Sequence, residues 1–179
     1  KVWETENGPQ VGDGINLVKQ GYNRGWEKVQ GIRRVKQTRE KEASFDKATK
    51  GVECADFGSK GKYSDPEFVW DKPVAPTGLV FLNSDKLGQQ YVNDMFVGSA
   101  KKGTIFHFDL KPDRESLALI GDLADFVYSK KEDSSNIVFG ENFGVVTDLK
   151  VGPDGYLYVV SASGGTGEGA IYRIVPNLK

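Results

Sequence analysis

The chain has 179 residues, 38% of them hydrophobic and 27% charged, and its net charge is −1 at neutral pH. That balance provides no basic face for nucleic acid, and no apolar run approaches membrane-spanning length, so neither is expected as a partner. A single cysteine, Cys54, excludes an internal disulfide and a cysteine-rich metal site. The sequence starts at Lys1 with neither an initiating methionine nor a signal peptide, which reads as a processed product or a piece of a longer protein.

Taken from the N terminus, residues 2–6 read as a strand, followed by a glycine-rich loop from Gly8 to Gly14 and a second strand at 15–18. The stretch Gly21-Tyr22-Asn23-Arg24-Gly25-Trp26 is rich in turn residues. Between about 33 and 65 the pattern dissolves into mixed charge without a sustained apolar stripe, and this segment is expected to be an exposed insertion in residues 1–179. Order returns at Trp70. Strands are expected at 78–82, 94–99 and 104–110, with a looser one within 116–127. A further set follows at 146–151, 156–161 and 170–175, the first two joined by a Gly152-Pro153-Asp154-Gly155 turn in which proline presets φ and glycine takes the left-handed position. The strands are short, antiparallel by their connections and rich in aromatic and β-branched residues, so the fold class is all-β.

Three of these strand pairs rhyme. Val2-Trp3, Met95-Phe96 and Leu157-Tyr158 each open a strand on an aliphatic-aromatic pair, and the strand that follows opens on Ile15, Ile105 or Ile171. Repetition of a strand unit implies a β-propeller. The first unit begins at the second strand of the others and the third stops after its third strand, so the chain holds about three blades of a ring. An open half ring leaves apolar blade faces in water, so a second chain or a missing N-terminal half is expected to complete it, a twofold homodimer of three-bladed halves being one way.

The loops joining the second and third strands of the units are Asn7 to Gly14, Ala100 to Gly103 and Ser163 to Glu168, and equivalent loops of a repeat should emerge on one rim. An amide, an aspartate, two lysines and accessible backbone on such a rim suit an anionic or carbonyl-bearing ligand and a hard cation. They equally suit glycine-rich loops that do no more than close hairpins.

Thr5-Glu6-Asn7-Gly8-Pro9, then Gly12-Asp13 and Ile15-Asn16-Leu17-Val18, resembles a hallmark of the glucose/sorbosone dehydrogenase family of soluble aldose dehydrogenases, which use pyrroloquinoline quinone (PQQ). Gly21 through Trp26, Trp70 with Ala75-Pro76-Thr77-Gly78-Leu79, Phe96-Val97-Gly98-Ser99-Ala100-Lys101 and Val151-Gly152-Pro153-Asp154-Gly155 extend the resemblance over most of the chain outside the charged insertion. It implies a six-bladed propeller of which this is the C-terminal half, an extracytoplasmic (periplasmic or secreted) location, and oxidation of a sugar hydroxyl by hydride transfer to the quinone. By position, Asn7 matches a polar contact to the quinone, with Asp13 in the same polar loop. Gly8 and Pro9 match residues whose backbone carbonyls bind calcium. Lys101 matches a lysine paired with the cofactor's negative charge, and Trp70 an aromatic at the substrate pocket.

The sequence departs from the family where two cofactor-gripping arginines are usual, just before the Asp148-Leu149 strand; Val145 and Thr147 stand there. Each lost charge-assisted contact is worth roughly 1.5–3 kcal/mol, together on the order of 100-fold or more in affinity. Gly14 replaces an acidic residue that commonly follows the aspartate in the family, which argues against a second, structural calcium. The family's general base is a histidine of the N-terminal half, and His107, flanked by Phe106 and Phe108, alternates to the opposite face and is expected to be structural or solvent-facing. No catalytic residue is therefore expected here. Two readings stand: part of a PQQ-dependent sugar dehydrogenase, or a propeller that has lost the cofactor and binds carbohydrate or protein.

Overall fold

Short strands that alternate apolar and polar residues bury their apolar faces only when sheet stacks on sheet. The structure, a computed structural model, describes residues 1–26, 31–32, 61–128, 136–162 and 167–177. In chain order the strands are β1 (Val2–Glu6), β2 (Asp13–Val18), β3 (Tyr22–Asn23), β4 (Lys62–Tyr63), β5 (Phe68–Trp70), β6 (Pro76–Phe81) and β7 (Met95–Ser99). They continue with β8 (Ile105–Phe108), β9 (Val127–Tyr128), β10 (Val138–Gly140), β11 (Val145–Val151), β12 (Leu157–Ala162) and β13 (Ala170–Arg173). Among the described residues the helices are short 3-10 turns, and none is long and apolar enough to cross a membrane.

The chain is all-β, and its sheets are propeller blades in the orders β1-β2-β5-β9, β10-β8-β7-β6 and β11-β12-β13. The rhyming pairs β1/β2, β7/β8 and β12/β13 are each antiparallel; β7/β8 and β12/β13 hold the second and third places of their blades, whereas β1 lies at the edge of its sheet with β2 beside it. Two expectations need correction. The fourth strand of the second blade is not within 116–127 but is β10, which pairs with β8. Left-handed backbone at Gly121 and Phe126 interrupts the earlier stretch, and Gly121–Asp125 turns into a 3-10 helix. Phe139 of β10 instead finds edge-on partners in Phe96 and Tyr91, at 5.0 and 5.5 Å between ring centres. Nor is all pairing antiparallel: β3 runs parallel to β4 and β5 parallel to β9. Lys62–Tyr63 lies in the stretch expected to be an insertion, but it pairs with Tyr22–Asn23; residues 33–60 lie outside the described residues.

The chain divides into two units, Lys1–Pro73 with Gly121–Ser129, and Val74–Ile120 with Lys130–Lys179. In the first, Ile15, Leu17, Phe68, Val69 and Trp70 are buried. In the second, Phe96 and Ile105 on one face of the β7/β8 pair meet Val146, Leu149, Leu157 and Val159 of the next blade. Burying each such side chain contributes about 1.5–3 kcal/mol. The two blades approach so closely at Gly98 that a β-carbon there would lie 2.6 Å from Val146 Cγ1.

Candidate functional site

The β1/β2 pairing runs in register from Val2 opposite Val18 to Glu6 opposite Gly14, leaving residues 7–12 as the connecting loop. Its shape is held from below. Asp13, only 1% exposed at the start of β2, accepts a hydrogen bond on Oδ1 from the backbone N–H of Gly8 at 2.8 Å. A β-carbon on Gly8 would lie 1.9 Å from the carbonyl oxygen of Val11, so the loop closes only with glycine there. Arg24, buried, donates from Nη2 to the Gly12 carbonyl at 3.1 Å and from Nη1 to the Gly31 carbonyl at 2.8 Å, and its Nε lies 2.8 Å from Glu6 Oε2. Asn16, fully buried, donates from Nδ2 to Glu4 and Glu6. Burial pushes the nearby Tyr22 phenol well above its ordinary range; the Arg24 charge opposes that shift and Glu4 adds to it.

On this base Asn7 and Pro9 are exposed and Gly8 is half-buried. Trp70 is fully buried: β5 pairs with β2 so that Trp70 stands opposite Asp13, and its ring meets Phe68 edge-on at 5.1 Å. Asn7, Gly8, Pro9, Asp13 and Trp70 thus belong to one unit and Lys101 to the other. The Lys101 side chain is exposed while its backbone is fixed, with N–H donating to Val74 O at 3.2 Å and the carbonyl accepting from Ser99 Oγ at 2.7 Å. Val145 is half-buried, and Thr147, at the register shift of β11, donates its hydroxyl to Val160 O at 3.1 Å. Of the third loop, residues 163–166 lie outside the described residues; Gly167 and Glu168 are exposed.

Arg24, Glu6 and Asn16 form a polar network beneath the loop that the sequence did not mark as such. An arginine flanked by turn residues and a polar residue inside an otherwise apolar strand were the available signals. His107 projects from the face opposite Phe106 and Phe108, as alternation requires. Its Nε2 lies 2.9 Å from Asp94 Oδ2, and its ring packs against Tyr91 and Phe96.

The sequence profile described as "Glucose / Sorbosone dehydrogenase" matches residues 1–173. The chain belongs to the glucose/sorbosone dehydrogenase family. Among relatives, the "Uncharacterized protein slr1608" of Synechocystis is 29% identical over 90% of this chain and 31% of its own length. The "Aldose sugar dehydrogenase YliI" of Escherichia coli is 26% identical over 89% of this chain and 35% of its own. The chain therefore spans about a third of the length of these relatives. The solved structure of the PQQ-bound form of aldose sugar dehydrogenase from Streptomyces coelicolor superposes with a TM-score of 0.55 at 16% identity, over 96% of this chain and 38% of that one. That likeness speaks for the fold. Asn7-Gly8-Pro9, within the matched residues, lies in the loop that Asp13 and Arg24 hold in shape.

Proposed function

We propose that this chain is the quinone- and calcium-binding part of a sugar-oxidising dehydrogenase that uses pyrroloquinoline quinone. The observation that carries the reading is that two buried charged side chains, Asp13 and Arg24, each bond the backbone of the same surface loop, at Gly8 and Gly12. Closing a hairpin does not require buried charge; presetting backbone oxygens for a hard cation gains from it. The half-buried Gly8 and exposed Pro9 would offer their carbonyls to calcium, and the exposed Asn7 amide would hydrogen-bond the quinone. Lys101 would place an ammonium against a quinone carboxylate. Asp13, whose Oδ1 already holds Gly8, acts in this reading by positioning the loop, and the buried Trp70 supports it from the neighbouring strand. The quinone, when bound, supplies the acceptor for the hydride leaving the sugar. The base that takes the sugar hydroxyl proton is assigned to a part of the protein, or to a second chain, that completes the ring. An extracytoplasmic location goes with this activity, and cell fractionation tests it.

One observation favours a binding propeller without the quinone. Thr147 spends its hydroxyl on Val160 O and Val145 is half-buried, so neither position presents a cation to a carboxylate. Calorimetric titration of the complete protein with PQQ and calcium decides between the readings. A micromolar or tighter Kd supports the dehydrogenase; no binding by about 1 mM overturns it in favour of the second reading.

A further inference from the structure

At the end of β7 and β8 away from the Lys101 loop, a strand length of about 17 Å, three potential metal ligands meet. Asp94 immediately precedes β7 and Asp109 immediately follows β8. Because Met95 stands opposite Phe108 and Phe96 opposite His107, the antiparallel register brings both carboxylates to the same end of the blade beside the imidazole. His107 Nε2 lies 2.9 Å from Asp94 Oδ2 and 3.5 Å from Asp109 Oδ1, and one ligand atom from each residue falls within 4.8 Å of the others.

We propose that Asp94, His107 and Asp109 form a binding site for a divalent transition-metal ion, zinc(II), that ties the ends of β7 and β8 together. Both carboxylates face the same imidazole nitrogen, which can donate one proton to one oxygen. The contact to Asp94 has hydrogen-bond length, while the 3.5 Å contact to Asp109 lies beyond it. Like charges brought together across neighbouring strands oppose pairing, and a bound cation turns that repulsion into ligation of all three groups. The spacing suits the ion: bonds of about 2.1 Å in a tetrahedral site separate the ligand atoms by about 3.4 Å. The donor set suits it too, since an imidazole nitrogen with two carboxylate oxygens favours zinc or its neighbours, whereas calcium takes oxygen alone.

The ring that would carry the ligand nitrogen is already oriented. Tyr91 meets it edge-on at 5.1 Å, Phe96 lies against it at 5.0 Å, and Phe139 braces both. Asp94 and His107 are mostly buried while the Asp109 side chain is 63% exposed, so an ion has an entry path and a water can take the fourth position. The zinc site requires neither the quinone nor calcium and is independent of the proposed oxidation.

The test is calorimetric titration of the chelator-stripped protein with zinc(II), with excess calcium present to fill hard-cation sites. One zinc per chain with a Kd of about 10 µM or tighter is expected, and Asp109→Asn and His107→Asn should each weaken it at least tenfold. Asp109 is exposed, so its variant carries the test even where His107→Asn disturbs the aromatic packing. Cys54→Ser should leave binding unchanged. Cobalt(II) in place of zinc should show ligand-field absorption without a sulfur charge-transfer band. No stoichiometric binding by about 100 µM zinc, binding indifferent to Asp109→Asn, or binding lost in Cys54→Ser would each overturn the proposal.

Discussion

The Asp13 carboxylate accepts the backbone N–H of Gly8 at 2.8 Å, so the first residue of one strand fixes the loop that leads into it. Replacing Asp13 by alanine leaves a half-buried donor unsatisfied and should cost about 1–3 kcal/mol in denaturant unfolding. Asp13→Asn keeps an oxygen acceptor and should recover most of that. In the proposed function both changes act through the loop, so Asp13→Ala should also weaken calcium binding. A variant that loses stability and keeps its calcium affinity would separate the loop from the cation.

Lys101 offers the complementary experiment. Its side chain is exposed and its backbone bonds do not involve the ammonium, so Lys101→Ala should leave the unfolding midpoint unchanged. If it pairs with a quinone carboxylate, PQQ affinity should fall by roughly 10- to 100-fold, the effect shrinking in high salt. An unchanged affinity removes Lys101 from the cofactor site.

Val145 and Thr147 allow a gain of function to be sought. Arginine at both positions should raise PQQ affinity by on the order of 100-fold, measured by the same calorimetry. Thr147→Arg also removes the hydroxyl's bond to Val160 O, so a small loss of stability should accompany the gain. No gain from the double variant would show that those positions do not face the quinone.

Trp70 should behave as core. Fully buried between β2 and β9 and edge-on to Phe68, it should cost about 3–5 kcal/mol on replacement by alanine, read by denaturant unfolding. Trp70→Phe should lose much less. A large effect on sugar affinity with little effect on stability would instead put the indole at the substrate.

Asp154 gives a pH-dependent test in the Gly152-Pro153-Asp154-Gly155 turn. The Tyr158 hydroxyl donates to its Oδ2 at 2.8 Å and is the main reason its carboxyl is held below the ordinary value, with Arg173 adding a little. A carboxyl lowered in the folded state contributes stability above its unfolded pKa, and that contribution fades as pH falls through the folded value. Tyr158→Phe should raise the Asp154 pKa toward the usual carboxylate range in a carboxyl-carbon NMR titration; an unmoved pKa would show that the hydrogen bond does not form in solution.

Much of the blade pattern was legible because strands and turns are written locally. Aliphatic-aromatic openings followed by isoleucine marked the rhyming pairs, and Pro153-Asp154-Gly155 marked the β11/β12 turn. The misplaced fourth strand shows where local reading stops: residues 116–127 have strand-like composition, yet Gly121 and Phe126 turn the backbone left-handed and β10 takes the edge of β8. Asn7, Gly8, Pro9 and Asp13 could be named from one continuous motif, but the part of Arg24 in holding that loop could not. It depends on a guanidinium reaching back to Gly12 and Glu6 from beyond β2.

The sequence by itself determined that this chain is built of propeller blades and belongs with the glucose/sorbosone dehydrogenases. Both properties reside in short-range spacing and residue type, which need no folded neighbour to be read. Only the tertiary structure decided that Asp13 and Trp70 are buried on paired strands, and that Asp94, His107 and Asp109 meet at one end of a blade. Those facts arise from strand register across separate segments, where a shift of one residue would send each side chain to the other face.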